Sequence, residues 1–395
     1  MKIGHFISHF PYKEQFKNKM YVKNYVCRGT EVAVHNLVTN LSKRHHEISI
    51  FTSSINSKGS IEKYGNLNVY RYGSYFEIGD TRISLGLFIK PFQHDVEIVH
   101  VHNNTPPGVI AGFLYAKIKN KPLIITHHGC ENFDNYGSLI RKLGLSLYIN
   151  FLLEKIFSCA DVIISPSEAF IEESKFLKKY RDKVVVIPNG INMGDFDIPY
   201  SKEECREKLG LSIEKNIILY LGSLIPRKGP DVLVKAMHKI IKVNPDTELV
   251  LAGDGILRKE LEELSKKLGL NNHIKLVGFV KEGLKPLYYK AADVFVLPST
   301  VSMEVFPVVI LEASASGIPI VVSDLDTFKC IIERRYNGLF TKRNDENNLA
   351  DAIIYLLENE DVRREMGKNA RKKVEDYSWE RIAEETEKVY NEVIS

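Results

Sequence analysis

The chain has 395 residues, of which 44% are hydrophobic and 26% charged, and its formal net charge is +4. This length exceeds one ordinary hydrophobic core, so we expect two domains, and the composition is typical of a soluble globular protein. No apolar run reaches the roughly 18 residues that a membrane-spanning helix needs. The amino terminus begins with a predicted strand instead of a signal peptide, which predicts a cytoplasmic protein and leaves attachment at the inner face of a membrane open.

The charge is unevenly divided along the chain. Residues 1–197 contain 24 Lys+Arg against 18 Asp+Glu, a balance of +6, whereas the remainder contains 30 against 32, a balance of −2. This excess is too small to indicate a nucleic-acid partner, and no recognition motif for one is present. The positive balance of the first half is compatible with anionic lipid head groups or a phosphorylated acceptor as partners.

Apolar strands alternate with helical patterns through the first half of the chain. Most of the strands are continuous apolar runs, as expected for parallel strands that are covered on both faces. The predicted strands are Lys2–Ser8, Glu47–Thr52, Leu67–Tyr72, Val96–Val101, Pro122–Thr126, Asp161–Ser165 and Lys183–Pro188. The predicted helices are Glu31–Ser42, Pro107–Lys119, Ser138–Cys159 and Ser167–Lys179. This pattern predicts a doubly wound α/β domain.

A second series of the same kind follows the polar stretch 192–204. Its predicted strands are Ile217–Leu221, Glu248–Ala252, Ile274–Val277, Asp293–Leu297 and Ile318–Ser323. Its predicted helices are Asp231–Val243, Leu257–Leu268, Leu284–Ala291 and Pro307–Ser316, and three more helices end the chain at Glu346–Glu358, Val362–Val374 and Trp379–Ile394. Two Rossmann-like domains facing a central cleft are expected, with ligands at the carboxyl ends of the strands.

Two carboxylates in the stretch from Leu297 to Asp324 have apolar neighbours. Glu304 ends the loop after a predicted strand, and Glu312 lies in the apolar helix that Pro307 opens. A carboxylate in such surroundings needs a polar partner, because desolvating an unpaired charge costs at least several kcal/mol. For Glu312 the helix alone leaves two kinds of partner equally open. One is a protein group, which would be a lysine, an arginine or the backbone, and the other is a ligand.

The segment from Gly222 to Asp231 combines a strand end, two cations and a helix start. Backbone N–H groups at a helix start, together with Arg227 and Lys228, form an anion site suited to a diphosphate. In isolation, a solvated basic loop is the favoured interpretation. No Gly-Lys-Ser/Thr phosphate loop is present, and no G-x-G-x-x-G follows the first strand, which argues against a nicotinamide dehydrogenase.

Metal ligands are not indicated by the histidines or the cysteines. His100, His102, His127 and His128 stand at predicted strand ends, but no carboxylate or cysteine has ligand spacing to them. The five cysteines lack the paired spacing of a disulfide framework or a zinc site, and they are Cys27, Cys130, Cys159, Cys205 and Cys330.

A series of short motifs stands at the turns of both halves. The motifs are Arg28-Gly-Thr-Glu31, Ile98-Val-His-Val-His102, Thr126-His-His-Gly129, Ile187-Pro-Asn-Gly190, Leu221-Gly-Ser-Leu224 with Arg227-Lys-Gly229, Leu251-Ala-Gly-Asp-Gly255, Val277-Gly-Phe-Val280, Ala292-Asp-Val-Phe-Val-Leu-Pro-Ser299, and Glu304 with Glu312, which have seven residues between them. In this order they resemble the family 4 retaining glycosyltransferases of the GT-B fold over nearly the whole chain. The resemblance implies an acceptor-side domain of residues 1–197 plus about 377–395, to which the helix from Trp379 returns, and a nucleotide-sugar donor domain of residues 198–376.

The resemblance also implies roles in the donor domain. Glu312 would bind the ribose hydroxyls of the donor nucleotide, and Glu304 would lie against the transferred sugar as a catalytic residue. Arg227 and Lys228 would neutralise the leaving diphosphate, and Gly222 would belong to the same donor-binding loop.

Further donor contacts are implied in both domains. Gly29 would leave room for the diphosphate, and Val280 would lie beside the nucleobase. The backbone amides of Val305 and Phe306 would contact the sugar or the diphosphate, and His128 would face the donor sugar and its leaving oxygen.

Three residues depart from the family pattern. Arg28 stands where the family has a glycine, Ser223 where it has an arginine and Pro307 where it has a glycine. The change at Ser223 puts one diphosphate contact in doubt, although Arg227 can supply the charge. Arg28 is instead a candidate to meet an acidic acceptor or a donor phosphate.

Two basic segments of the first half have two interpretations each. The segment from Pro11 to Cys27, which is longer than in the family, is a candidate acceptor or membrane contact, although a basic loop without such a role is favoured. The helix Ser138–Cys159 either attaches the protein peripherally to a membrane or packs into the core. Its apolar pattern favours core packing.

The resemblance predicts a glycosyltransferase of the hexosyltransferase type. It would move a sugar from a UDP- or GDP-sugar to a glycan, a lipid-linked acceptor or a small molecule, with retention and without a metal or another cofactor. Same-face attack assisted by the departing phosphate oxygen would require no dedicated nucleophile. A GT-B-type sugar-nucleotide epimerase or phosphorylase, and a non-catalytic sugar-nucleotide-binding protein, stay open as alternatives.

Overall fold

The computed structural model describes residues 1–12, 29–78, 81–129, 144–301 and 304–395. They form two compact units, one of Met1–Gly190 with Trp379–Ser395 and one of Ile191–Ser378. The predicted domain ends at 197 and about 377 lie a few residues away. Residues 191–197 join the second unit because Met193 and Phe196 pack against its core.

The first unit is built on an eight-stranded sheet. Its strands are β1 Lys2–Phe6, β2 Glu47–Ser53, β3 Ser60–Tyr64, β4 Leu67–Tyr72, β7 Ile98–Asn103, β8 Leu123–His127, β9 Val162–Ser165 and β10 Val184–Val186, and a separate hairpin pairs β5 Phe76–Ile78 with β6 Thr81–Ile83. The order in the sheet is β10-β9-β8-β7-β1-β2-β4-β3. All pairs are parallel except β3 with β4, a polar edge strand that the sequence pattern did not predict.

Helices connect the strands of the first unit. They are α1 Gly29–Lys43, α2 Gly86–Ile89, α3 Pro106–Lys119, α4 Glu154–Cys159, α5 Glu168–Glu173 and α6 Lys175–Lys179, with a π-helical turn at Tyr148–Leu153 before α4. The helix predicted at Ser167–Lys179 is divided in two, because Ser167 and Ser174 each cap a helix start by accepting a backbone N–H in the extended conformation.

The second unit contains a six-stranded parallel sheet. Its strands are β11 Asn216–Leu221, β12 Thr247–Ala252, β13 Ile274–Gly278, β14 Val294–Leu297, β15 Ile320–Ser323 and β16 Gly338–Thr341. The order β13-β12-β11-β14-β15-β16 is that of a doubly wound nucleotide-binding sheet. The short edge strand β16 was not predicted from the sequence.

The remaining helices are mostly those of the second unit. They are α7 Lys202–Leu209, α8 Pro230–Val243, α9 Arg258–Lys267, α10 Lys285–Ala291, α11 Val308–Ala315, α12 Glu346–Glu358, α13 Glu360–Val374 and α14 Trp379–Ile394. The last of these, α14, belongs to the first unit. There Trp379 is buried, and Glu387 pairs with Arg44 at the end of α1.

The strand order fixes where loops meet. In the second unit β11 and β14 are neighbours, although their connections leave in opposite directions across the sheet. The loops after these two strands therefore adjoin at the carboxyl edge, which is where ligands bind in sheets of this kind. In the first unit β1 lies between β2 and β7, so its carboxyl end adjoins that of β7.

No helix in the described part of the chain is long and apolar enough to cross a membrane. Of the predicted helix Ser138–Cys159, residues 138–143 lie outside the described residues, and the rest is helical. Leu153 and Phe157 are buried there, whereas Leu147 is 54% and Phe151 72% exposed. One face of this helix thus packs into the core and the other presents apolar side chains to solvent.

Candidate functional site

The loop after β11, residues 222–229, carries both predicted cations and is fastened to the end of β14. The backbone N–H of Thr300 donates to the carbonyl of Arg227 at 2.9 Å. Gly229 has a φ of 64°, and a Cβ there would lie 2.1 Å from the carbonyl oxygen of Pro298. Because only glycine tolerates both conditions, Gly229 holds this cationic loop against the neighbouring strand end.

Glu304 completes this cluster. Arg227 Nη1 donates to its Oε1 at 2.8 Å, and Lys228 Nζ donates to its Oε2 at 2.5 Å. Glu304 is 4% exposed, whereas the side chain of Arg227 is 36% exposed. One buried carboxylate therefore holds two cations side by side at the carboxyl edge of the sheet, with one positive charge in excess.

Glu312 lies on α11, and both of its carboxylate oxygens contact protein groups. Lys285 Nζ donates to Oε1 at 3.0 Å, and the hydroxyl of Tyr289 donates to Oε2 at 2.7 Å. The structure thus supplies the lysine partner that the sequence left open for this 6% exposed residue. These protein contacts do not test the ribose contact that the resemblance implies for Glu312, and that contact stays a proposal.

Lys285 is itself held between two carboxylates. Its Nζ lies 2.8 Å from Oε1 of Glu282 as well as contacting Glu312. Burial alone would lower the pKa of Lys285, but the attraction of Glu312 and Glu282 outweighs it and raises that pKa above its ordinary value. Lys285 is therefore charged at neutral pH and supplies the cation that a buried Glu312 requires.

The other predicted donor contacts of the second unit lie around the same edge. The backbone N–H of Gly222 donates to the carbonyl of Ala252 at 2.9 Å. The side chains of Val280 and Phe306 are buried in the core, and Val305 is partly buried. The predicted contacts of these residues with the donor stay predictions.

The predicted site residues of the first unit are Gly29 and His128. Gly29 is exposed at the start of α1, and a Cβ there would meet no described atom within 4 Å. Arg28 and most of the segment from Pro11 to Cys27 lie outside the described residues.

His128 stands at the outer, partly buried end of a row of histidines whose other members are buried. Its Nε2 lies 3.4 Å from Nδ1 of His102, and Nε2 of His102 lies 3.0 Å from Nδ1 of His5. His100 packs against this row but bonds elsewhere, to Tyr390 and Thr126. Burial lowers the pKa of both His5 and His128 to about 3, so these rings are neutral at pH 7.

Three of these histidines have ligand nitrogens close enough for a metal ion. Nitrogens of His5, His100 and His102 lie within 4.8 Å of one another. Both nitrogens of His100 and both of His102 already have hydrogen-bond partners. A metal would have to displace those bonds, so the arrangement fits a hydrogen-bonded cluster better than a metal site.

Lys285, Tyr289 and His5 are site neighbours that the sequence did not indicate. Lys285 and Tyr289 are four residues apart on one face of α10, a spacing that any surface helix shows. His5 lies inside the first strand, and its alignment with His100 depends on the register of β1 with β7. The strand-end histidines His100 and His102 were the one available signal.

Comparison with known proteins supports the same assignment along the chain. The family model described as Glycosyltransferase Family 4 matches residues 27–194, and the one described as Glycosyl transferases group 1 matches residues 201–373. An uncharacterized glycosyltransferase of Methanocaldococcus jannaschii is 31% identical over 383 residues, which cover 92% of this chain and 94% of that protein.

A relative with a more specific name is found in Escherichia coli. It is called UDP-Gal:alpha-D-GlcNAc-diphosphoundecaprenol alpha-1,3-galactosyltransferase and is 30% identical over 303 residues, which cover 74% of this chain and 73% of that protein. Among solved structures, the sucrose-phosphate synthase of Thermosynechococcus elongatus superposes with a TM-score of 0.77 at 24% identity, covering 99% of this chain and 98% of that one. The chain therefore belongs to the GT4-type glycosyltransferases and has their GT-B fold, as its sequence motifs predicted.

Proposed function

We propose that this glycosyltransferase transfers a hexose from a nucleotide-diphosphate sugar, with a UDP- or GDP-sugar as donor, to a glycan, lipid-linked or small-molecule acceptor. The reaction proceeds with retention and without a bound metal. The observation that carries this proposal is the cluster in which Glu304 holds Arg227 and Lys228 side by side at the carboxyl edge of the second sheet.

The cluster suits the departure of a diphosphate. Breaking an anomeric C–O bond places positive charge on the sugar and negative charge on the leaving oxygen. Arg227 and Lys228 are already fixed by Glu304, so they stabilise that negative charge without a large rearrangement. In this proposal the two protein cations neutralise the charge of the leaving diphosphate, so the reaction needs no divalent metal ion.

Retention requires no protein nucleophile in this proposal. The departing phosphate oxygen takes the proton of the acceptor hydroxyl on the face from which it leaves, while the acceptor oxygen bonds to the anomeric carbon on that same face. Glu304, beside the cations, lies against the sugar and steadies the charge that develops on its ring. The bond that breaks joins the anomeric carbon to the β-phosphate, and the nucleoside diphosphate leaves.

Glu312 remains suited to a ribose although Lys285 and Tyr289 contact it. Each carboxylate oxygen can accept two hydrogen bonds, and the structure gives each oxygen one such partner. A ribose diol can donate to the remaining positions, and Lys285 balances the charge while it does so. In this proposal Val280 lies beside the base, and Gly29, Gly222 and the amides of Val305 and Phe306 contact the diphosphate or the sugar.

A lipid-linked sugar is the acceptor class with the most support. The name of the Escherichia coli relative describes transfer to a sugar on diphosphoundecaprenol. The half of this chain before residue 198 carries the positive balance, and Leu147 and Phe151 are exposed beside Lys155. These features favour peripheral contact of the first unit with an anionic membrane surface.

A thermal-shift screen with UDP-, GDP- and ADP-sugars tests the donor. A ligand that binds only the folded protein at about 100 times its Kd raises the free energy of unfolding by about 2.7 kcal/mol. We expect one base to stabilise the protein and EDTA to leave that shift unchanged. Absence of any shift, or a shift that requires a divalent ion, contradicts the proposal.

Incubation of that donor without an acceptor separates the alternatives. A transferase leaves the donor essentially intact until an acceptor is added. Conversion of the donor to another sugar nucleotide would instead identify an epimerase, and consumption that depends on inorganic phosphate would identify a phosphorylase.

A further inference from the structure

The two hydrogen bonds in the histidine row behind His128 must be donated in the same direction along the row. Each neutral imidazole carries one N–H, and each of the two contacts in the row needs one proton between its nitrogens. The contacts are His128 Nε2 with His102 Nδ1 at 3.4 Å and His102 Nε2 with His5 Nδ1 at 3.0 Å. Since His102 has one proton to give, the whole row donates either towards His128 or towards His5.

The two directions differ in what they leave at the ends. If the row donates towards His5, the Nε2 of His5 carries an N–H, and His128 exposes a bare Nδ1. If the row donates towards His128, His5 Nε2 is a bare lone pair and His128 carries its proton on Nδ1. Among the described residues, His5 Nε2 has no hydrogen-bond partner, and His5 is completely buried.

A buried N–H without an acceptor is more costly and rarer in proteins than an acceptor with an unused lone pair. The row is therefore more stable when its inner end is the bare nitrogen. We propose that His5 and His102 are positioning residues that hold His128 in the Nδ1–H tautomer, so that this ring presents a hydrogen-bond donor and no acceptor.

His128 lines a pocket of the first unit together with His102, Thr126, Asn189 and Trp379. A neutral imidazole N–H suits an oxygen that is negative or becomes so, because it polarises that oxygen without giving up its proton. The identity of that oxygen, a donor-sugar hydroxyl or the leaving oxygen, rests on the proposed function, whereas the tautomer itself does not.

Nitrogen NMR of the ligand-free, histidine-labelled protein at pH 7.5 tests the tautomer directly, because protonated and bare ring nitrogens have well-separated shifts. The chain contains 12 histidines, and single substitutions assign the signals by loss. We expect Nδ1–H for His128, His102 and His5. An Nε2–H signal for His128 or for His102 would overturn the proposal.

Variants test whether the row sets the tautomer. In His102→Phe, and in His5→Phe as a second variant if the first is unstable, His128 should change from one tautomer to a mixture of both. His100→Gln is the matched control, because His100 packs in the same cluster but bonds to Tyr390 and Thr126, so it should leave His128 unchanged. A pure Nδ1–H form of His128 in both Phe variants would show that the row does not fix it.

Turnover supplies the second readout. With an established donor, His102→Phe should lower kcat about tenfold, the loss of one oriented hydrogen bond, while the KM for donor changes less than twofold. Unchanged kcat in a variant whose His128 is a mixture would overturn the role of the donor. If the wild type turns over no sugar nucleotide, the proposed function fails, and the NMR result still decides the tautomer.

Discussion

Replacing Glu304 by glutamine should tighten the binding of a nucleoside diphosphate while stopping sugar transfer. In the ligand-free protein Glu304 accepts charge-assisted hydrogen bonds from Arg227 and Lys228 at 2.8 and 2.5 Å. Bonds to charged groups contribute about 1.5–3 kcal/mol each, and the partial exposure of Arg227 reduces its share. Glu304→Gln keeps the shape of the side chain but removes the charge, so we expect a loss of about 1–3 kcal/mol in the unfolding free energy of the second unit.

A bound diphosphate restores the missing negative charge. Ligand binding should therefore recover part of that loss, and about 1.4 kcal/mol corresponds to a tenfold lower Kd. Transfer should fall at least about 100-fold, since the charge beside the developing cation is gone.

Titration calorimetry with the nucleoside diphosphate that stabilises the wild type most measures the Kd, and steady-state kinetics measure the transfer. Glu333→Gln is the matched control, because Glu333 pairs with Lys373 in the same unit but at the surface, and it should change neither value. An unchanged or higher Kd in Glu304→Gln would refute the inference that a diphosphate replaces the lost charge beside Arg227 and Lys228, and wild-type turnover would refute the role of Glu304 in transfer.

Three further predictions follow from the geometry. Gly229→Ala should raise the KM for donor and lower the unfolding free energy of the second unit by about 1–3 kcal/mol, because the new Cβ would clash with the Pro298 carbonyl at a positive φ. Gly269→Ala is the control, since Gly269 also has a positive φ but a Cβ there would meet no described atom within 4 Å; equal effects of the two substitutions would contradict this reason. Glu312→Ala should weaken donor binding about tenfold and leave Lys285 without its buried partner; an unchanged donor Kd would exclude the ribose contact. Acid should destabilise the first unit. The pKa of His5 is about 3 in the folded state and 6.5 in the unfolded state, so between these pH values the unfolded chain binds a proton that the folded chain does not. The unfolding free energy should therefore fall as the pH drops below 6.5, by about 2 kcal/mol at pH 5 for His5 alone. The chain has one tryptophan, Trp379, whose fluorescence reports unfolding of this unit, and in His5→Gln the loss between pH 7.5 and 5 should be smaller by that amount.

The architecture was predictable because buried parallel strands appear in the sequence as continuous apolar runs. The strand Leu67–Tyr72 and the helices Glu346–Glu358 and Trp379–Ile394 have the predicted ends. The missed strand β3 is mostly exposed and polar, and it forms only because it pairs with β4. The break at Ser174 was missed because a capping serine inside an apolar helical pattern is indistinguishable from an ordinary helix residue until its backbone conformation is known.

The candidate site was predictable to the extent that strand ends determine it. Arg227, Lys228 and Glu304 follow β11 and β14, which are neighbours at the point where the strand order reverses, so their contact follows from the topology. The contact of Lys285 with Glu312 depends instead on how two helices face each other across 27 residues of sequence. No local pattern encodes that distance, and the same holds for the register that aligns His5 with His100.

The most direct test of the proposed function is time-resolved proton NMR of the transfer reaction, with the donor from the thermal-shift screen and a sugar-diphosphoprenol acceptor in EDTA. We predict that the wild type releases the nucleoside diphosphate as it forms a product with the anomeric configuration of the donor, and that Glu304→Ala and Lys228→Ala form no product at the same protein concentration. Inversion at the anomeric carbon, a requirement for a divalent metal, or normal product formation by both variants would contradict it.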